Sequence, residues 1–147
     1  MPETIPIAAD HAGYELKERL KRELVTLGYE PLDLGTNGPD SVDYPDYAHP
    51  LASMVERGEV QRGILTCGTG LGMSFAANRH HGVRAAVVWS PDIAQLAREH
   101  NDANVLVLPS RFVSEEDAVE ILKRWLTTPF AGGRHVRRVA KVEGEGA

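Results

Sequence analysis

The sequence predicts an α/β protein, a three-layer α/β/α sandwich in which helices cover both faces of a five-stranded parallel sheet. Three observations carry this. Short apolar runs alternate along the whole chain with longer segments whose apolar residues recur at helical spacing. Caps and breakers such as Gly28, Ser90-Pro91-Asp92, Ser114 and Gly132-Gly133 fall between them. Gly63-Ile64-Leu65-Thr66 runs straight into a glycine-rich turn and a helical segment, as in the units that build parallel sheets by right-handed crossovers.

Each element follows from local chemistry. Ile5–Ala9 is a first strand, with Pro6 tolerated near its beginning or at an edge. Tyr14–Leu27 is a helix whose stripe is Leu16, Leu20, Leu24 and Leu27, stopped by Gly28. Glu30–Leu34 is the second strand. A polar loop, Gly35–Tyr44, leads to a helix near Pro45–Arg57 with Ala48, Leu51, Ala52 and Val55 inward. The third strand, Gly63–Thr66, precedes a helix opening at Met73–Asn78. Arg84–Trp89 is the fourth strand, and its Val87-Val88 run predicts a buried parallel position. Ser90 is an N-cap followed by proline, opening a helix to about His100. Val105–Leu108 is the fifth strand, and Ser114-Glu115-Glu116-Asp117 caps a helix carrying Val119, Leu122 and Leu126. After Gly132-Gly133 comes a last helix, about Arg134–Val142, and residues 143–147 are expected to fray. The architecture is Rossmann-like, without repeat or linker, so residues 1–147 read as one domain.

Composition narrows the function classes. The lone cysteine excludes an intrachain disulfide and fits a cytoplasmic, reducing setting. With neither a signal peptide nor a long apolar span, membrane insertion and secretion are not expected. A net charge of −5 gives nucleic-acid binding no support, although Arg134, Arg137, Arg138 and Lys141 form a local basic segment.

Cys67-Gly68-Thr69-Gly70-Leu71-Gly72 is the segment richest in chemistry. A glycine-rich turn between strand and helix lets backbone N–H groups close around an anion at the helix's positive end. Its opening residue is the lone cysteine, and a thiol at a helix N-terminus is expected to have a lowered pKa. No Lys-Ser/Thr follows, so this is no Walker loop, and G-x-G-x-G is a poor dinucleotide fingerprint. The plainer alternative is an inert buried thiol. Parallel sheets bind ligands where strand order reverses. If the first and third strands are neighbours there, Asp10-His11-Ala12-Gly13 joins the Cys67 loop in one crevice.

Other candidates divide by reach. Arg134 and Arg138 lie four apart on one helical face and can grip a phosphate, or form a solvated basic face. His100-Asn101 closes the fourth helix, where a histidine also suits the macrodipole. His80-His81 precede Gly82 in a turn and read as solvated. His49 and His135 sit beside helix starts with either role open. Asp43 and Tyr44 reach a ligand or shape the turn into Pro45.

Together these residues carry a resemblance. Asp10-His11-Ala12-Gly13, Asp33-Leu34-Gly35, Asp43-Tyr44-Pro45, Cys67–Gly72, Ala76-Ala77-Asn78, Arg98-Glu99-His100-Asn101 and Gly132-Gly133-Arg134-His135 occur in order. From about Ile5 to Val142 the chain resembles the sugar-phosphate isomerase family that holds type B ribose-5-phosphate isomerases and the galactose-6-phosphate isomerase subunits. The resemblance implies interconversion of ribose 5-phosphate and ribulose 5-phosphate through an enediol, without metal or cofactor. Cys67 would take the C2 proton and return it at C1. The backbone from Gly68 through Gly70 and Leu71 to Gly72, with Thr69, would stabilise the enediolate. Asp10 would move protons on the sugar oxygens and His100 would open the furanose ring. Asn101 and Tyr44 would contact the sugar; His11, Arg134 and Arg138 would bind phosphate, with Arg111 lent by the neighbouring subunit. Family members form homodimers with sites shared between chains, which can pair into tetramers, and His100, Asn101 and Arg111 would face Cys67 of the opposite chain.

Two departures stand out. Pro109 precedes Ser110-Arg111 where a small or flexible residue is expected, and His80-His81 replace an expected lysine-plus-apolar pair. Retention of His100 and Gly133-Arg134 argues against the galactose-6-phosphate subunits. The rivals are an isomerase of another four- or six-carbon sugar phosphate, such as allose or galactose 6-phosphate, and a sugar-phosphate sensor without catalysis. A metal-dependent isomerase and a flavodoxin-like module fit less well, for want of a converging ligand cluster and of any need for Cys67 with paired arginines.

Overall fold

The computed structural model describes residues 1–145; the last two residues of the segment expected to fray lie outside the described residues. The elements are β1 (Thr4–Ala9), α1 (Tyr14–Thr26), β2 (Glu30–Asp33), α2 (Pro45–Glu56), β3 (Gly63–Cys67), α3 (Leu71–Ala77), β4 (Ala85–Val87), α4 (Pro91–Asn101), β5 (Val105–Pro109), α5 (Glu115–Thr127) and α6 (Arg134–Val142). All strand pairs are parallel, in the order β2-β1-β3-β5-β4. Strand order therefore reverses between β1 and β3, the arrangement the crevice required. Among the described residues no helix is long and apolar enough to cross a membrane.

Alternation along the central strands builds two cores, one on each face of the sheet. Ile5, Ile7, Ile64, Leu106 and Leu108 pack with Leu16, Leu20 and Leu24 of α1, Ala94 of α4 and Trp125 of α5. Ala8, Leu65, Val105 and Val107 pack with Leu51 of α2 and Met73 of α3 on the other face. Strands buried on both faces read as continuous apolar runs, which is why the sequence marks Gly63–Thr66 and Val105–Leu108, each one residue short of the strand observed. Pro6 sits within interior β1, but the ladder to β3 begins only at Ile7–Ile64, so its missing donor falls ahead of that ladder.

Three expectations are corrected. The Val87-Val88 run does not place β4 in the middle of the sheet. The middle strand is β3, the fully buried β5 is interior beside it, and β4 is a half-buried edge strand paired with β5 alone. The Asn78 side chain closes part of its edge, bonding to both the N–H and the C=O of Ala85 at 2.8 and 3.0 Å. The helix after the glycine loop starts at Leu71 rather than Met73 and is only seven residues long. The tail does not fray at residue 143: Glu143 accepts hydrogen bonds from Gly82 N–H at 2.8 Å and Arg84 Nη1 at 3.0 Å.

Candidate active site

Cys67 ends β3 and Asp10 follows β1, so both stand at the carboxyl edge of the sheet where the order reverses. Asp10 is 7% exposed, and its Oδ1 accepts from Ala12 N–H at 3.0 Å and Gly13 N–H at 3.1 Å, closing the loop over β1. Thr66 Oγ1 donates to Gly13 O at 2.8 Å and pins that loop to β3. A Cβ on Gly13 would run into the Thr66 carbonyl, so the two strand ends approach through glycine.

Cys67 is 4% exposed. Burial pushes its thiol above the ordinary range, and the Asp10 charge adds to this; N–H groups of Met73, Gly70 and Thr69 pull the other way without prevailing. The expected lowering is thus overturned: two turns of helix offset less than the loss of water costs the thiolate. Gly70 caps α3 with φ of 79°. Leu71 N–H donates to Thr69 Oγ1 at 3.2 Å, which leaves the Thr69 hydroxyl proton for another acceptor.

The crevice walls come from three further loops. Val42 N–H donates to His11 Nδ1 at 3.2 Å, which puts the neutral ring's proton on Nε2. The Tyr44 ring lies where a Cβ on Gly72 would be, so it covers the anion loop, while Asp43 shapes the turn by accepting Asp46 N–H through its carbonyl at 3.1 Å. Arg111 N–H donates to Gly68 O at 3.0 Å, and its guanidinium lies against Gly68. Within the chain, Arg111 therefore stands beside its own Cys67 loop. Pro109 does not loosen it, because that residue is in register with Cys67.

Ser110 was missed. Its N–H donates to Cys67 O at 2.8 Å, and its Oγ lies 2.9 Å from Ala12 O and 3.1 Å from Cys67 O. It stitches the Asp10, Cys67 and Arg111 loops together, and nothing local in the sequence marks it.

His100, Asn101, Arg134 and Arg138 are elsewhere. His100 and Asn101 close α4 just before Asn104, whose carbonyl accepts from Gly63 N–H, the first residue of β3, at 3.0 Å. They therefore lie at the amino end of the sheet, roughly 13 Å of strand from Cys67 at about 3.3 Å per residue. His135 is buried and its ring stacks on His100, centroids 4.4 Å apart and planes 16° apart. Burial lowers the His135 pKa, and the charges of His100, Arg134 and Arg138 lower it further. Asn101 and Arg138 line one cavity of about 660 Å³ together with Arg84 and Glu143. His11 is thereby separated from the two arginines with which it was grouped as a phosphate ligand. His80, expected in solvent, is half-buried between Glu56 Oε1 at 3.0 Å and His49 Nδ1 at 2.7 Å; His81 is exposed.

Fold and crevice define a small-metabolite α/β protein with a shielded thiol on an anion loop, and the chain belongs to the Ribose/Galactose Isomerase family, whose model matches residues 5–142. It is 46% identical over 138 residues to ribose-5-phosphate isomerase B of Escherichia coli, covering 94% of this chain and 93% of that protein. The crystal structure of the Thermotoga maritima ribose 5-phosphate isomerase superposes with a TM-score of 0.94 at 52% identity, covering 97% of this chain and 98% of that one. The Mycoplasma genitalium ribose-5-phosphate isomerase B, solved with bound ribulose-5-phosphate, gives 0.94 at 44% identity, covering 98% and 96%.

Proposed function

We propose that the protein interconverts ribose 5-phosphate and ribulose 5-phosphate through an enediol, as one isomerase domain over residues 1–147. The carrying observation is the buried Cys67 thiol beside Asp10 under a loop of N–H donors, in a chain matched along its length by ribose-5-phosphate isomerases. In this reading the Cys67 thiolate takes the C2 proton of the open-chain aldose and the resulting thiol returns it at C1. A raised pKa makes the thiolate a stronger base once formed, and burial keeps water from the intermediate. Backbone N–H groups along Gly68–Gly72 and the Thr69 hydroxyl stabilise the developing enediolate oxygen. Asp10, with Oδ1 already holding two N–H groups, has its second oxygen to move protons between sugar oxygens. Metal independence belongs to the proposal and is tested with a chelator.

The working unit in this reading is a homodimer in which His100, Asn101, Arg134 and Arg138 of one chain serve the Cys67 crevice of the other. A twofold contact makes two such sites, each borrowing from the partner, and pairs can assemble further. Support comes from the separation of the two groups along β3. It comes also from Leu71, Phe75 and Phe112, which are 52, 61 and 73% exposed around the crevice, an apolar rim suited to a second copy. His11 and Arg111 then approach the substrate from the Cys67 side, with Tyr44 against the sugar. The paired arginines grip phosphate, His100 opens the ring and Asn101 holds hydroxyls.

The test is turnover of ribose 5-phosphate and ribulose 5-phosphate with and without a chelator, beside a panel of four- to six-carbon sugar phosphates. Chelator-insensitive turnover fastest with the pentose is expected. Binding without turnover would make the protein a sensor, loss with chelator would demand a metal, and faster turnover of another sugar would reassign the substrate.

A further inference from the structure

We propose, resting on the isomerase reading above, that Arg84 and Glu143 are positioning residues that set where helix α6, which carries Arg134 and Arg138, sits against the end of α4 that bears His100-Asn101. Arg84 is fixed at the main chain: its N–H donates to Asn104 Oδ1 at 2.8 Å and its carbonyl accepts from Asn104 N–H at 3.1 Å. From that anchor the guanidinium forks. Nε lies 3.1 Å from both Asn101 O and Asp102 O, the terminal carbonyls of α4, where a cation offsets unpaired acceptors and the negative end of the dipole. Nη1 donates to Glu143 Oε1 at 3.0 Å, at the end of α6, while Glu143 Oε2 takes Gly82 N–H at 2.8 Å.

One side chain thus ties the last turn of α4 to the last turn of α6. Its side chain is 17% exposed and that of Glu143 13%, so the pair is shielded from much of the screening that weakens surface ion pairs. Asn101 is held by its carbonyl while its exposed side chain is left for a ligand. The helix so anchored at its last turn carries Arg138, which lines the same cavity as Asn101, and in its first turn His135, whose ring stacks on His100. Lysine cannot replace the fork, because a single ammonium does not span both helix ends in fixed geometry.

The experiment compares full-length wild type with Arg84→Lys and Glu143→Gln. It measures kcat and KM for ribose 5-phosphate, calorimetric affinity for inorganic phosphate, and Tm. Arg84→Lys should raise KM and weaken phosphate binding about tenfold, the scale of one charge-assisted hydrogen bond, with kcat much less affected. Glu143→Gln should move both in the same direction by less, and the double variant should cost less than the product of the two single effects. A fall in Tm with unchanged KM and phosphate affinity would reduce the pair to a structural tie and overturn the proposal. Should Arg84→Lys not fold, Glu143→Gln decides on the same two readouts. Phosphate binding needs no turnover, so a wild type that binds phosphate but does not isomerise would sink the isomerase reading alone. A wild type that binds no phosphate would sink this one.

Discussion

At the carboxyl end of β3 the Asp10 and Cys67 loops are held largely by main-chain groups, whereas at its amino end the groups around His100 rest more on side chains. Asp10 is locked by two N–H groups of its own loop, and Ser110 bridges the Ala12 and Cys67 carbonyls. At the other end His100 leans on a second imidazole, and the α4 terminus is gripped by the guanidinium groups of Arg84 and Arg98. The difference suits the proposed reaction: proton transfer between carbon and sulfur would tolerate little misplacement, and strand ends offer almost no side-chain freedom. Gripping a phosphate needs charge and reach, which long side chains on helices supply.

The largest effect that tests this contrast is at the thiol. Cys67→Ala should lower kcat about 10²- to 10⁴-fold while a phosphorylated inhibitor still binds, because the proposed base is lost and the opposite half is untouched. Turnover near wild type would show that Cys67 is only a buried apolar residue. His100→Ala should also be inactive in furanose isomerisation. Mixing the two inactive variants under subunit exchange gives mixed dimers with one doubly damaged site and one intact site. Their activity should return to about half that of a wild-type dimer. Mixed dimers that stay inactive would put both residues in one chain's site and break the division between the halves.

Smaller effects are expected where side chains do the holding. Arg134→Ala and Arg138→Ala should each weaken ribose 5-phosphate binding by about 1.5–3 kcal/mol and leave free ribose nearly unchanged. Comparing the two ligands in each variant separates phosphate recognition from a folding defect, which would weaken both alike.

How much of this was legible from sequence follows the same division. Strand order reversal, the Asp10 and Cys67 loops and the helix carrying Arg134 and Arg138 were all readable, because caps, glycines and stripes are local signals. The place of β4 was not: Val87-Val88 looks central, and only competition with the more apolar Val105–Leu108 run decides which strand is interior. Ser110 and Arg84 act through carbonyls far away in sequence, so no spacing announces them. Motif order does not say which loop Arg111 lies beside within the chain, whereas its bond to Gly68 O does. The direction of the Cys67 shift was misread for a related reason. Position at a helix start is visible in sequence, but the depth at which the sulfur lies is not.

The smallest effect compares the two halves through pH. Both hold a group that burial keeps neutral, Cys67 at one end and His135 at the other, so both should make stability depend on pH, in opposite windows. The folded Cys67 pKa is raised, so its contribution is fully present below the ordinary thiol value of 9.0 and is lost as pH rises from there through the folded value. The folded His135 pKa is lowered, so its contribution is present above the ordinary histidine value of 6.5 and is lost as pH falls through the folded value. Tm measured across pH should therefore decline on both flanks. Cys67→Ala should flatten the alkaline flank alone, and His135→Gln the acid flank alone. If Cys67→Ala leaves the alkaline slope unchanged, the thiol is not shielded as the geometry requires. If His135→Gln leaves the acid slope unchanged, folding does not lower the His135 pKa, and the stack with His100 does not favour the neutral ring.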